Sequence, residues 1–210
     1  MSEVVVLDYE MSNLRSAVKA LERLGARVRV VRSGDELGVP AAVVLPGVGH
    51  FGEAMRRIRA AGFDDAVHRA HQDGSTVLGI CLGLQLLFDE SEESPGQSGL
   101  GLIRGDVRAL RTDRKLPQIG WNTVEWNDWA TIAAGADSPH DRTYYFVHSF
   151  AVHPADPVAV LGTAEYGERF CAAAGAERVT GVQFHPEKSS TAGLGLLRRW
   201  LTELEVAAAA

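Results

Sequence analysis

Residues 75–88 read Ser75-Thr76-Val77-Leu78-Gly79-Ile80-Cys81-Leu82-Gly83-Leu84-Gln85-Leu86-Leu87-Phe88. A strand-length apolar run ends at Cys81, and a leucine-rich helical segment follows at once. Glycines stand two positions before and two after the cysteine. A strand that turns this sharply into a helix crowds side chains at those two positions, so G-x-C-x-G reads as the thiol counterpart of a nucleophile elbow. Cys81 then sits at a helix N-terminus, where the partial positive charge favours the thiolate. The placement matters because a cysteine with the ordinary pKa of about 8.5 is only a few per cent ionised at pH 7. The same pentapeptide also suits a small buried thiol packed between glycines.

The strand-to-helix pattern recurs upstream. Glu3 to Asp8 is an apolar run of strand length, and Ala26 to Arg32 alternates valines with arginines. Between them Ala17, Leu21 and Leu24 fall at i, i+4 and i+7, with Ser12 or Asn13 to cap the helix and Gly25 to end it. A third run, Ala41 to Leu45, ends at Pro46-Gly47-Val48-Gly49, and helical segments follow from Phe51 to Asp73. Strands alternating with helices predict an α/β fold with a mostly parallel central sheet flanked by helices, because parallel neighbours need a crossover. Ligands in such sheets sit at the carboxyl ends of strands, where both glycine-rich tracts lie.

The pattern changes after about residue 100. Leu102 to Leu110, Ile119 to Trp126, Thr143 to Val147, Val158 to Thr163, Phe170 to Ala174 and Val179 to Phe184 are strand-like runs without helices between them. They predict additional antiparallel strands in the C-terminal half, joined to the same sheet or forming a small second one. From Ser189 a closing helix places Leu194, Leu197, Leu201 and Leu204 on one stripe.

With 210 residues, 46% hydrophobic and 23% charged, the composition is that of one globular domain and excludes a disordered or collagenous chain. The formal charge of −6 argues against nucleic acid. The longest apolar stretch, Val77 to Phe88, is far short of the roughly 20 residues of a membrane span. The N-terminus has no basic segment before an apolar run, so the expected location is cytoplasmic. Two cysteines, Cys81 and Cys171, make no disulfide framework.

A nucleophilic cysteine needs a base. Phe184-His185-Pro186-Glu187 places a carboxylate two residues after a strand-end histidine, on the same face if the backbone stays extended. Glu187 then holds one ring nitrogen of His185 and leaves the other for Cys81. An acyl-transfer site also needs donors for the developing oxyanion. The Leu82 N–H, next after the nucleophile, is one; the Pro46–Gly49 tract offers a second, although it equally suits a tight strand-to-helix turn. His68-x-x-His71 lacks a third ligand, so no metal is expected, and no phosphate-binding glycine loop follows the first strand.

These residues together resemble a known family. Gly79-Ile80-Cys81-Leu82-Gly83-Leu84-Gln85 with His185-Pro186-Glu187 resembles the class I, triad-type glutamine amidotransferases. The chain is similar end to end to one family within them, the glutaminase subunits of imidazole glycerol phosphate synthases. The similarity extends over Asp8-Tyr9, Asn13-Leu14, Pro46 to Gly49, Pro117-Gln118-Ile119-Gly120-Trp121-Asn122, Tyr145 to Ser149 and Phe184 to Ser189. The Pro117–Asn122 tract and the Asp8-Tyr9 start speak against the comparable subunit of pyridoxal 5′-phosphate synthase. The resemblance implies a class I glutamine amidotransferase-like fold and one amidotransferase domain over residues 1–210. It also implies glutamine hydrolysis through a cysteinyl thioester without a cofactor. Cys81, His185 and Glu187 would be nucleophile, base and orienting acid. Gly47, Val48 and Gly49 would form an oxyanion strand switched by the partner. Gln85 and Glu93 would contact glutamine, and the backbone at Ser149 and Phe150 its α-carboxylate. The implied partner is a cyclase subunit in a heterodimer, docked over Asn13 and Trp121. No residue here could close an imidazole ring on a phosphosugar nucleotide, so that chemistry would lie in the partner.

Overall fold

The structure, a computed structural model, describes residues 3–209. In chain order these form β1 (Glu3–Leu7), α1 (Leu14–Arg23), β2 (Arg27–Val31), β3 (Ala42–Gly47), α2 (Phe51–Ala60), α3 (Phe63–Gln72), β4 (Thr76–Cys81), α4 (Leu82–Leu86), β5 (Glu90–Ser91), β6 (Gly105–Ala109), β7 (Gln118–Thr123), β8 (Glu125–Trp126), β9 (Thr143–His148), β10 (Phe150–Pro154), β11 (Val160–Glu165), β12 (Arg169–Ala176), β13 (Val179–Val182) and α5 (Ser190–Ala209). The main sheet runs β2-β1-β3-β4-β13-β12-β10-β6-β5, with β11 and β8 attached beside β12.

Side-chain alternation sets up the layers. Val5 and Leu7 point to one face of the sheet with Val43, Leu45 and Val77, where Phe51, Met55 and Phe63 of α2 and α3 cover them. Val4 and Val6 point to the other with Val44, Leu78 and Ile80, beneath Leu21 of α1 and Leu196, Leu197 and Trp200 of α5. Strands β1, β3 and β4 are almost wholly buried because both faces are covered, which is why they read as unbroken apolar runs. Burying each such side chain contributes about 1.5–3 kcal/mol. Gly25, at φ +90, terminates α1 as expected. Asn13 occupies the N-cap position, but its side chain accepts from the Ser16 hydroxyl at 3.2 Å instead of capping the backbone.

The C-terminal half departs from expectation in one respect that controls the site. Strand β13 pairs antiparallel with β12 but parallel with β4, in the register Val179↔Val77 to Val182↔Ile80. Its carboxyl end therefore lies beside that of β4. Strand β10, which the sequence does not announce, pairs with β6 and β12, and β7 with β9 forms a separate antiparallel sheet.

Candidate active site

Cys81 ends β4 at φ 56, ψ −111, a backbone conformation that side-chain-bearing residues rarely adopt. Such strain costs of order 1–3 kcal/mol and is held by the surrounding packing. The flanking glycines are required by contact. A Cβ on Gly79 would lie 2.7 Å from the Gly83 carbonyl oxygen, and one on Gly83 would run into the Leu45 carbonyl. Helix α4 stops at Leu86, shorter than the apolar run suggests, so its dipole adds little at Cys81.

The parallel pairing of β13 with β4 brings His185 to Cys81. Its Nδ1 lies 2.8 Å from Glu187 Oε1, both side chains being buried. Glu187 reaches the ring through a single 3-10 turn, Pro186–Lys188, and not through extended backbone as the sequence reading supposed. Burial alone would lower the His185 pKa. Hydrogen bonds and charge at Cys81 and Glu187 outweigh it and push the imidazole up to about 9. The histidine backbone is fixed in turn: its N–H donates to the Tyr145 carbonyl at 2.9 Å, and its carbonyl accepts from the Ser189 hydroxyl at 2.6 Å. Glu187 Oε2 is buried without a hydrogen-bond partner among the described residues.

A cavity of about 280 Å³ opens over the sulfur. Cys81, Leu82, Gln85, Glu93, Ser149, Phe150 and His185 line it together with Val48 and Gly49. Gly47 sits behind them in β3, in register with Cys81. The Val48 N–H points elsewhere, donating to the Met11 carbonyl at 2.8 Å. Tyr9, whose phenol is raised above its ordinary pKa by burial and then by Cys81, donates to the Pro46 carbonyl at 2.7 Å. Glu93 Oε2 accepts from the Phe51 N–H at 2.7 Å. The Ser149 N–H has no protein acceptor among the described residues, whereas the Phe150 carbonyl is taken by Gln85 Nε2 at 3.2 Å and by His148 Nδ1 at 2.8 Å. Burial pushes His148 down to about 4, so it stands neutral with its proton on Nδ1, facing a carbonyl that can only accept.

Asn13 and Trp121 lie outside the cavity. Asn13 is exposed at the head of α1, where the chain leaves the carboxyl end of β1. Trp121 is 57% exposed on β7, two residues after the 63% exposed Ile119. Cys171 does not line the cavity, and burial pushes its thiol up to about 12. Sequence reasoning missed Gln183, whose Nε2 is 3.8 Å from Cys81 Sγ. The available signal was a lone amide in the apolar tract Val182-Gln183-Phe184, since buried polar groups require partners. Among the described residues no cluster of three or more His, Cys, Asp or Glu is arranged to hold a metal, and no helix is long and apolar enough to cross a membrane.

Residues 5–204 match the family "Glutamine amidotransferase class-I". The chain is 42% identical over 207 residues to imidazole glycerol phosphate synthase subunit HisH of Geobacillus thermodenitrificans, covering 96% of each. It is 44% identical over 204 residues to the same-named protein of Deinococcus radiodurans, covering 96% of this chain and 94% of the relative. Among solved structures, a crystal structure of a glutamine amidotransferase superposes with TM-score 0.73 at 22% identity, covering 96% of this chain and 98% of that one. The structure of PurLQS from Thermotoga maritima gives 0.73 at 23% identity, covering 97% and 100%. At these identities the two structures speak for the fold alone.

Proposed function

This chain belongs to the class-I glutamine amidotransferases, and on that premise we propose that it is the glutaminase subunit of an imidazole glycerol phosphate synthase, acting in histidine biosynthesis in the cytoplasm. The observation that carries the chemistry is Cys81, held at φ 56 with its sulfur facing the Val147 carbonyl at 3.7 Å, in one cavity with an imidazole that Glu187 holds at 2.8 Å.

Cys81 attacks the side-chain carboxamide carbon of glutamine as the thiolate, His185 having taken its proton. The C–N bond breaks as His185 returns that proton to the leaving nitrogen, giving ammonia and a cysteinyl thioester. His185 then draws a proton from water, which attacks the thioester, and glutamate leaves with the sulfur restored. A cavity of about 280 Å³ is at the small end for ligand sites, in keeping with a single amino acid. Glu93 offers a carboxylate to the substrate ammonium, and the unpaired Ser149 N–H offers a donor to its carboxylate. Leu82 and the Gly47–Gly49 strand supply the oxyanion donors.

The ammonia goes to a cyclase subunit docked over Asn13 and Trp121. Support for control by that partner is the Val48 N–H, which is bonded to Met11 and cannot stabilise an oxyanion until the strand turns. One oxyanion donor is worth about 10²–10³ in turnover. Ammonia release from glutamine is therefore expected to rise by about that factor when the cyclase subunit and its nucleotide substrate are added. Equal rates with and without them would overturn the proposal.

A further inference from the structure

The amide of Gln183 can adopt only one orientation, and the reason runs through three side chains. A backbone carbonyl only accepts, so the atom of Gln85 that faces the Phe150 oxygen at 3.2 Å must be its nitrogen. The same Gln85 nitrogen faces the Gln183 side chain at 3.1 Å, so Gln183 must present its oxygen there. The other end of the Gln183 amide, its NH2, is then the group 3.8 Å from Cys81 Sγ. Gln183 is fully buried, and its backbone N–H is fixed to the Ala172 carbonyl at 2.8 Å, so the side chain starts from a rigid strand end.

We propose that Gln183 is a catalytic residue of this glutaminase: its locked amide keeps an N–H donor on the Cys81 sulfur, holding the attacking thiolate between Gln183 and His185. The same chain of bonds uses the Gln85 nitrogen twice and leaves the Gln85 oxygen as the acceptor that this cavity-lining side chain can turn to the substrate. The sulfur's own role in the hydrolysis rests on the glutaminase reading. The N–H···S contact is independent of it.

The test is alkylation of Cys81 by iodoacetamide, which reacts with the thiolate and needs neither glutamine nor the cyclase subunit. Cys171 gives little background because it is buried with a raised pKa, and the rate left in Cys81→Ala is subtracted. A hydrogen bond to a charged group is worth about tenfold or more, so Gln183→Leu is expected to slow alkylation about tenfold at neutral pH and to recover as pH is raised. Gln183→Glu puts a carboxylate against the sulfur and should slow it at least as much. In ammonia release with the cyclase subunit, Gln183→Glu keeps an acceptor for Gln85 and should lose kcat with little change in KM, whereas Gln183→Leu should lose both. Unchanged alkylation and unchanged pH dependence in Gln183→Leu would overturn the proposal.

Should that variant fail to fold, the wild-type chain decides. The side-chain amide proton of Gln183 in an NMR spectrum should move when Cys81 is alkylated, and a resonance indifferent to that change overturns the assignment equally. Normal ammonia release with unchanged alkylation defeats the role of Gln183 alone. Slowed alkylation in a chain that never releases ammonia from glutamine defeats the glutaminase reading alone.

Discussion

Replacing Glu187 by glutamine keeps an acceptor opposite His185 Nδ1 but removes the charge. The two groups are 2.8 Å apart, and their side chains are 4% and 3% exposed, so solvent screens the pair little. A hydrogen bond to a charged group is worth about 1.5–3 kcal/mol and a neutral one about 0.5–1.5, so the substitution removes about 1–1.5 kcal/mol of preference for imidazolium. At about 1.4 kcal/mol per unit this is a downward shift of about one pH unit. In the native chain the imidazolium persists until about 9. On the proposed mechanism that form hands the proton to departing ammonia, so turnover should fall as pH rises through that value. In Glu187→Gln the alkaline limb should move to about pH 8, with ammonia release about threefold lower near pH 8.5 and little changed near pH 7. The fold should tolerate the change, since the incoming NH2 takes the position of Oε2, which has no partner to lose. The assay is kcat/KM for glutamine against pH in the presence of the cyclase subunit. An alkaline limb that stays put, or moves upward, would refute the claim that Glu187 stabilises the charged ring.

Cys81→Ser should abolish ammonia production while leaving assembly with the cyclase subunit intact, as read by gel filtration of the pair; substantial ammonia from this variant means that the nucleophile is misassigned. Gly83→Ala places a methyl group against the Leu45 carbonyl and should destabilise the chain by about 1–3 kcal/mol, or about 2–12 °C in Tm. An unchanged melting curve would contradict the crowding at the turn. Trp121→Ala should weaken binding to the cyclase subunit by at least about tenfold without altering the melting of the isolated chain, because the indole is 57% exposed. Undiminished affinity in a titration would remove Trp121 from the docking surface.

The elbow around Cys81 is written in the sequence because its requirement is local. A side chain on Gly79 would meet the Gly83 carbonyl within the turn itself, whereas the space that Gly83 leaves is taken by the Leu45 carbonyl of β3, a contact that only the packed sheet supplies. The parallel strands and their coverings follow just as directly from the alternation of Val4 and Val6 with Val5 and Leu7. Partnerships formed across the fold are another matter. An isolated strand of four residues, Val179–Val182, carries no mark of the direction in which its neighbour runs, yet its parallel pairing with β4 is what sets His185 beside the sulfur. Nor does a glutamine in the chain announce which way its amide faces. Gln183 meets Cys81 across 102 positions, and its orientation is fixed by a carbonyl on β10 that the sequence does not link to either. Steric needs within a few residues determined the nucleophile's turn; hydrogen-bond direction between distant strands, which exists only once they are packed, decided what surrounds the sulfur.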